Sequence, residues 1–232
     1  MNEKELEKVL RKIENGREYR SMVLEVREGD DGESNDKIVE GYATTFNEPY
    51  YLYSFERDDG EVVTVNEQVD REAFDGADMS DVIFQYDHEG RVFARLSNGT
   101  MELNDDEHGL KVKANLGGTE IGRNLYEEIR GGYTNKMSFG FTVAKADITP
   151  DGDKQYIRTI RKIGKLFDVS AVSYPQNNFT EISARKNCEG VIASIEAERL
   201  EVEKREKEKA KKMEDLKARL SKLREEASNK WK

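Results

Sequence analysis

Histidine is scarce in this chain: of its 232 residues only His88 and His108 are of that type. His88 stands in DHEGR, directly after the apolar, strand-like run Val82 to Tyr86, where a strand ends and a turn begins. Some fifty residues on, Ser138 sits in NKMSFGF, a segment of period two, and Asp168 lies in a third strand-like segment, KLFDVSAVS. An imidazole titrates near neutrality and is the natural general base for a hydroxyl nucleophile, and a carboxylate behind it sets its tautomer and orientation. A base, a nucleophile and an acid on three separate strands match the needs of a serine-hydrolase triad, which is recognised by geometry and role and not by chain order.

Taken one at a time, the three residues also have blander explanations. Met137, Phe139, Phe141 and Val143 point one way and Ser138, Gly140 and Thr142 the other, so Ser138 also reads as small polar filler on the less buried face of a strand. Gly140 removes a side chain beside it, leaving room for a substrate backbone. Asp168 shares parity with Ser170 and Val172 between Phe167 and Val169. It is either a surface carboxylate on an edge strand or a buried one that needs a donor such as a histidine N–H, because an unpaired buried carboxylate is costly. His108, in the acidic segment NDDEHGL, reads as a turn residue, which leaves His88 as the better base. Cys188, the single cysteine, lies where the body meets the tail with no element expected to fix it, and makes a poor nucleophile. Two histidines and one cysteine do not make an ordinary zinc site, and the glycines of LGGTEIG lack the Lys-Ser/Thr of a phosphate loop. No cofactor and no metal are expected.

The elements that must position these residues follow from periodicity. Leu6, Val9, Leu10 and Ile13 predict an N-terminal helix within residues 1–18, with Gly16 as its stop. From Tyr19 the period becomes two: Met22, Leu24 and Val26 alternate with polar residues, the acidic turn GDDGESND follows, and Ile38 to Phe46 form a second strand. Residues 47–80 are less regular, with a turn at ERDDGEVV and the start of a short helix at Arg71 to Phe74. Strands are expected at 82–86, 92–96, 100–103, 110–115, 137–145, 155–162 and 164–174. Between them, Thr119 caps a helix reaching Gly131, with Ile121, Leu125 and Ile129 on one face. Many short strands with one good internal helix predict a β-rich α+β class, a barrel-like antiparallel domain over residues 19–185, closed or nearly so.

Residues 186–232 differ in kind. They carry 14 Lys/Arg against 11 Asp/Glu, whereas the preceding residues carry 24 against 37. The segment 191–228 has neither Pro nor Gly and consists mostly of helix formers. Ile192, Ile195, Val202, Met213, Leu216, Leu220, Leu223 and Ala227 share one heptad register, interrupted by Arg199, Glu206 and Lys209. This predicts a charged helical tail whose last heptads can pair with a partner helix, with EKREKEKAKK as a solvated spacer. The acidic body argues against nucleic acid as a partner, because phosphate neutralisation needs clustered Lys/Arg. One cysteine suits a reducing cytoplasm, and no apolar run approaches the roughly 20 residues of a membrane span.

The wording of the segments carries more than their spacing. VEGYATTFNEPY, REAFDGA, VIFQYDHEGRVFARLSNGTMEL, DEHGLKVKANL, TEIGRNLYEEIRGG, NKMSFGFTV and RTIRKIGKLFDVSAVSYPQN occur in that order and cover roughly residues 20–185. In this the chain resembles the prohead serine proteases of tailed bacteriophages, a family related in fold to the herpesvirus assembly proteases. The resemblance implies Ser138 as nucleophile, His88 as general base and Asp168 as the acid that orients it. Relatives often carry Glu at that third position, and herpesvirus relatives a second histidine. DHEGRVFAR departs from the apolar or proline-containing turn common before the Gly-Arg, which bears on the loop and not on the histidine.

The resemblance further implies a serine endopeptidase of capsid maturation. Such an enzyme acts inside the procapsid in the host cytoplasm on scaffold, on a scaffold-like segment of the major capsid protein, or on itself. The tail then reads as a helix for docking on scaffold or for self-association. The alternative reading is a non-catalytic assembly protein that keeps the protease fold, and the joint presence of Ser138, His88 and Asp168 favours the enzyme.

Overall fold

The computed structural model describes residues 16–25, 36–57, 60–173 and 178–229. Along them run β1 (Arg17–Glu25), β2 (Ile38–Thr45), β3 (Tyr50–Glu56), β4 (Val62–Val69), β5 (Ile83–Tyr86) and β6 (Glu89–Arg95). A single 3-10 turn at Leu96–Asn98 leads to β7 (Met101–Asp105), β8 (Gly109–Asn115), α1 (Glu120–Arg130), β9 (Lys136–Pro150), β10 (Gln155–Val172) and α2 (Asn178–Asn229). The fold is a strand-rich α+β arrangement with two helices among the described residues. The chain divides into two compact units, residues 1–186 and 187–232. The helix expected over 3–15 lies outside the described residues, and Arg17 and Glu18, expected with it, belong to β1.

The strands form one sheet in the order β3-β4-β10-β9-β1-β2-β8-β7, with β5 and β6 branching from β10. It is neither wholly antiparallel nor a closed barrel, as the sequence had led us to expect. β10 pairs in parallel with β4 through Gln155–Ile160 and, further along, with β5 through Asp168–Ala171. One strand serves two neighbours because its register against β9 shifts repeatedly between Ile160 and Asp168, and each bulge adds local twist. A single isolated bridge, Phe46 to Val69, crosses the gap between the arms, with Asn47 N–H donating to the Val69 carbonyl at 2.8 Å. One bridge is not a ladder, and the path ends at β3 and β7 without joining them.

Residues 47–80 hold more order than their pattern suggests. β3 and β4 form a hairpin there, whereas Arg71 to Phe74 make turns and no helix. In β3 a bulge between Tyr51 and Tyr53 breaks the alternation, and in β4 the inward series Val63, Val65, Glu67, Val69 includes a carboxylate where an apolar residue is expected. Glu67 is tolerated because it sits in a buried cluster of two arginines and two glutamates. Arg20 Nε donates to Glu67 Oε1, and Arg20 Nη2 donates to Glu67 Oε2 at 2.8 Å and to Glu18 Oε2 at 2.7 Å. Arg158 Nη1 and Nη2 donate to Glu18 at 2.7 and 2.8 Å, Nη1 reaches Glu67 as well, and the Tyr50 hydroxyl donates to Glu67 Oε1 at 2.5 Å. Burial alone would push the Glu67 carboxyl up, but Arg20 and Arg158 overcome it and hold it below its usual range. The cluster ties β1 to β4 and β10, strands that are not adjacent to β1 in the sheet.

One apolar core lies under the sheet, built from Met137, Phe139 and Phe141 of β9, Leu166 and Val169 of β10, and Leu125 and Ile129 of α1, among others. Burying each such side chain contributes about 1.5–3 kcal/mol. The Thr119 hydroxyl caps α1 by accepting from Gly122 N–H at 3.1 Å, and Gly132 at φ +77° turns the chain out of the helix toward β9. α2 is helical from Asn178 to Asn229, so EKREKEKAKK lies within a continuous helix with every residue exposed. Among the described residues no helix is long and apolar enough to cross a membrane.

Candidate active site

β9 lies between β10 and β1, and its register puts Ser138 opposite Ser170 on one side and Ser21 on the other. Gly140 is likewise opposite Asp168 and Tyr19. Residues paired across strands share a face, so Ser138, Gly140, Asp168, Ser170 and Tyr19 all project from the side opposite the Phe139–Phe141 stack. That face is slightly less buried than the one carrying Met137, Phe139 and Phe141, yet it is covered. Ser138 is 2% exposed and Ser170 is fully buried.

His88 comes from the two-residue turn between β5 and β6, closed by the Tyr86–Glu89 pair. Asp87 and His88 have φ of 48° and 59°, the left-handed pair that a tight type I′ hairpin requires. Asp and His tolerate that region better than most non-glycine residues, yet the conformation costs energy and must be held. It is held by the far end of β10. Asp87 N–H donates to the Ala171 carbonyl at 2.9 Å, and its carboxylate accepts from Ser173 N–H at 3.0 Å and from the Ser173 hydroxyl at 2.8 Å. With its proton so engaged, Ser173 accepts from the Tyr86 hydroxyl at 2.6 Å. The parallel β5–β10 ladder thus delivers the turn to the strand that carries Asp168.

The three residues meet there. His88 Nδ1–H donates to Asp168 Oδ2 in a short contact, and the Ser138 hydroxyl donates to His88 Nε2 at 2.7 Å. A carboxylate only accepts, so it selects the tautomer with the proton on Nδ1 and leaves Nε2 facing the serine. The side chains of His88 and Asp168 are each 5% exposed. Asp168 Oδ2 also accepts from the Ser170 hydroxyl at 2.9 Å. The Tyr19 ring lies 4.4 Å from the imidazole, tilted by 60°. Burial, then the nearby Asp168 charge, push its phenol up to about 12, so it stays neutral beside the histidine. Arg17 hydrogen-bonds Tyr19, and its guanidinium stacks 3.8 Å above the Phe167 ring.

His88, Ser138 and Asp168, singled out from the sequence, are therefore brought together, and the other candidates are not. His108 stays in its turn, with N–H donating to Asp106 Oδ1 at 2.8 Å and its ring edge-on to Tyr42. Cys188 is buried within α2, so the expectation that no element fixes it is corrected. The space beside Gly140 is taken by Asp168 and Tyr19, not left for a substrate backbone. Sequence reasoning missed Asp87, Ser173, Ser170 and Tyr19. Ser170 alone carried a signal, its parity with Asp168, while the others are joined to the site only through pairing between distant segments.

A buried hydroxyl hydrogen-bonded to an imidazole, itself hydrogen-bonded to a carboxylate, is equipped to pass a proton as the hydroxyl attacks a carbonyl. No curated protein and no solved structure matches the chain. The family pattern of the caudovirus prohead serine proteases matches residues 22–192, a span that holds all three relay residues. With most of its length covered by that match, the chain belongs to the caudovirus prohead serine protease family.

Proposed function

We propose that the chain is a serine endopeptidase of capsid maturation in which Ser138 is the nucleophile, His88 the general base and Asp168 the residue that orients it. The observation that carries this reading is the unbroken relay from Ser138 through His88 to Asp168 on a buried face. His88 Nε2 takes the hydroxyl proton as Ser138 Oγ bonds to the peptide carbonyl carbon. The same proton passes to the leaving amine as the C–N bond breaks, giving an acyl-enzyme. A water that gives its proton to His88 then attacks the ester, and Ser138 recovers its hydroxyl as the carboxylic acid leaves. Asp168 keeps its hydrogen bond to Nδ1–H and stabilises the imidazolium that forms in each half.

The family places such an enzyme in the procapsid, in the company of capsid proteins. Within that setting we take its substrates to be scaffold, or a scaffold-like segment of the capsid protein, and the chain itself. We assign catalysis to residues 19–185 and a separate role to 186–232. The kinship in fold with the herpesvirus assembly proteases implied by the sequence is part of this reading. Co-expression with the cognate capsid and scaffold proteins, wild type beside Ser138→Ala, followed by intact mass of every chain, tests it. Truncated chains only with wild type are expected. Uncut masses in both, with procapsids still formed, would move the assignment to a non-catalytic assembly protein.

A further inference from the structure

On its heptad register α2 has Ile192 buried and Ile195 half-buried, and from Arg199 to Met213 the seam is exposed. Val202 and Met213 lie on the heptad register and are 54% and 55% exposed, and Arg199, Glu206 and Lys209 on the same register are exposed too. Charged residues at seam positions are costly unless a partner answers them, and they are a known means of setting orientation in helix pairs. We propose that this seam pairs with the same helix of a second copy, antiparallel, about a two-fold axis between positions 207 and 208.

The charges discriminate between the two ways of pairing. In a parallel pair each seam residue meets its own kind, so Arg199, Glu206 and Lys209 all face like charges. The flanking positions repeat the conflict, setting Glu198 against Glu203, Lys212 against Lys217 and Arg219 against Arg224. In the antiparallel pair Glu206 meets Lys209 of the second copy, and the two-fold axis makes that contact twice. The next layers out are Val202 with Met213 and Arg199 with Leu216. No layer then sets like charge on like charge.

On the flanks Glu198 meets Arg219, and the remaining like pair is Arg205 with Lys212. That pair is blunted because Arg205 is already engaged with Glu201 of its own helix at 3.2 Å. From Arg199 to Leu216 the paired seam is about 27 Å long, at 1.5 Å per residue. The charges that interrupt the apolar register are therefore the features that select this partner and this direction.

Sedimentation of the full-length chain at 0.15 M salt, with Ser138→Ala in every sample so that no chain can cut itself, tests the pairing independently of proteolysis, so its failure leaves the catalytic reading untouched. The native seam is expected to give twice the 26.6 kDa of one chain at tens of micromolar. Glu206→Lys or Lys209→Glu alone creates two like-charge layers and should weaken the dimer roughly tenfold. The double variant Glu206→Lys/Lys209→Glu exchanges the partners and should restore it to within about twofold. These positions are exposed on one helix, so circular dichroism is expected to show every variant folded. A chain with the native seam that stays monomeric overturns the proposal. So does a dimer indifferent to the single reversals, which would place the contact elsewhere or in parallel. Single reversals that weaken binding to a helical scaffold protein while the chain itself stays monomeric would give the seam to that partner and overturn it equally.

Discussion

At Gly140 there is no room even for a methyl group: a Cβ there would lie 2.6 Å from Asp168 Oδ1 and 2.8 Å from the Tyr19 ring. The glycine is what lets the carboxylate and the phenol ring lie against the strand that carries Ser138. Gly140→Ala is expected to displace Asp168, costing about 1–3 kcal/mol of stability by overpacking. Turnover of a peptide substrate should fall toward that of Asp168→Asn, with thermal unfolding and steady-state kinetics as the checks. Asp168→Asn itself should cost on the order of 10⁴ in kcat, because the amide no longer enforces the Nδ1–H tautomer. Ser138→Ala or His88→Ala should cost about six orders of magnitude. Near-normal cleavage by Ser138→Ala would end the assignment.

Two elements stand out, the β5–β6 turn that presents His88 and the charged cluster that ties β1 to β4 and β10. In the turn, Asp87 and His88 keep positive φ because the Asp87 carboxylate is tied to Ser173. Asp87→Ala should therefore lower kcat on the order of 10²-fold through misplacement of the imidazole, with KM little changed. Asp87→Asn, which accepts the same N–H and suits the left-handed region, should recover most of it. Equal losses from both variants would show that the tie to Ser173 is not what positions the histidine.

In the cluster the sign of the pH dependence follows from Glu67. Its folded pKa is depressed, so its contribution is complete above the unfolded carboxylate value, about 4.3, and is lost as pH falls through the lower folded value. Glu67→Gln leaves Arg20 and Arg158 short of one counter-charge and is expected to cost about 3–5 kcal/mol at pH 7. Acid titration followed by circular dichroism should show a shallower loss of stability below about pH 4.3 in that variant than in wild type.

For the molecule as a whole, the family match ends at residue 192 and the helix continues to Asn229. Removing residues 193–232 is expected to leave cleavage of a short peptide within about twofold of wild type. Incorporation into procapsids should nonetheless fall, roughly tenfold or more, if pairing through α2 presents two catalytic units to the shell at once. Quantitative mass spectrometry of purified procapsids reads the second effect, and undiminished incorporation would separate α2 from packaging.

The sequence by itself put forward His88, Ser138 and Asp168, through the resemblance of the segments that carry them. The strands that carry them were legible locally, because strand periodicity and turn chemistry act over a few residues. The Thr119-capped helix was legible for the same reason. What only the tertiary structure decided depends on pairing between distant segments. The hairpin β3–β4 escaped detection because its inward Glu67 is answered by Arg20 and Arg158, 47 and 91 residues away. The open sheet replaced a closed barrel because bulges in β10 divide it between two parallel neighbours, a choice no local period encodes. Ser138 proved buried, and Gly140 proved to make room for Asp168, because the strands that cover them come from the two ends of the domain.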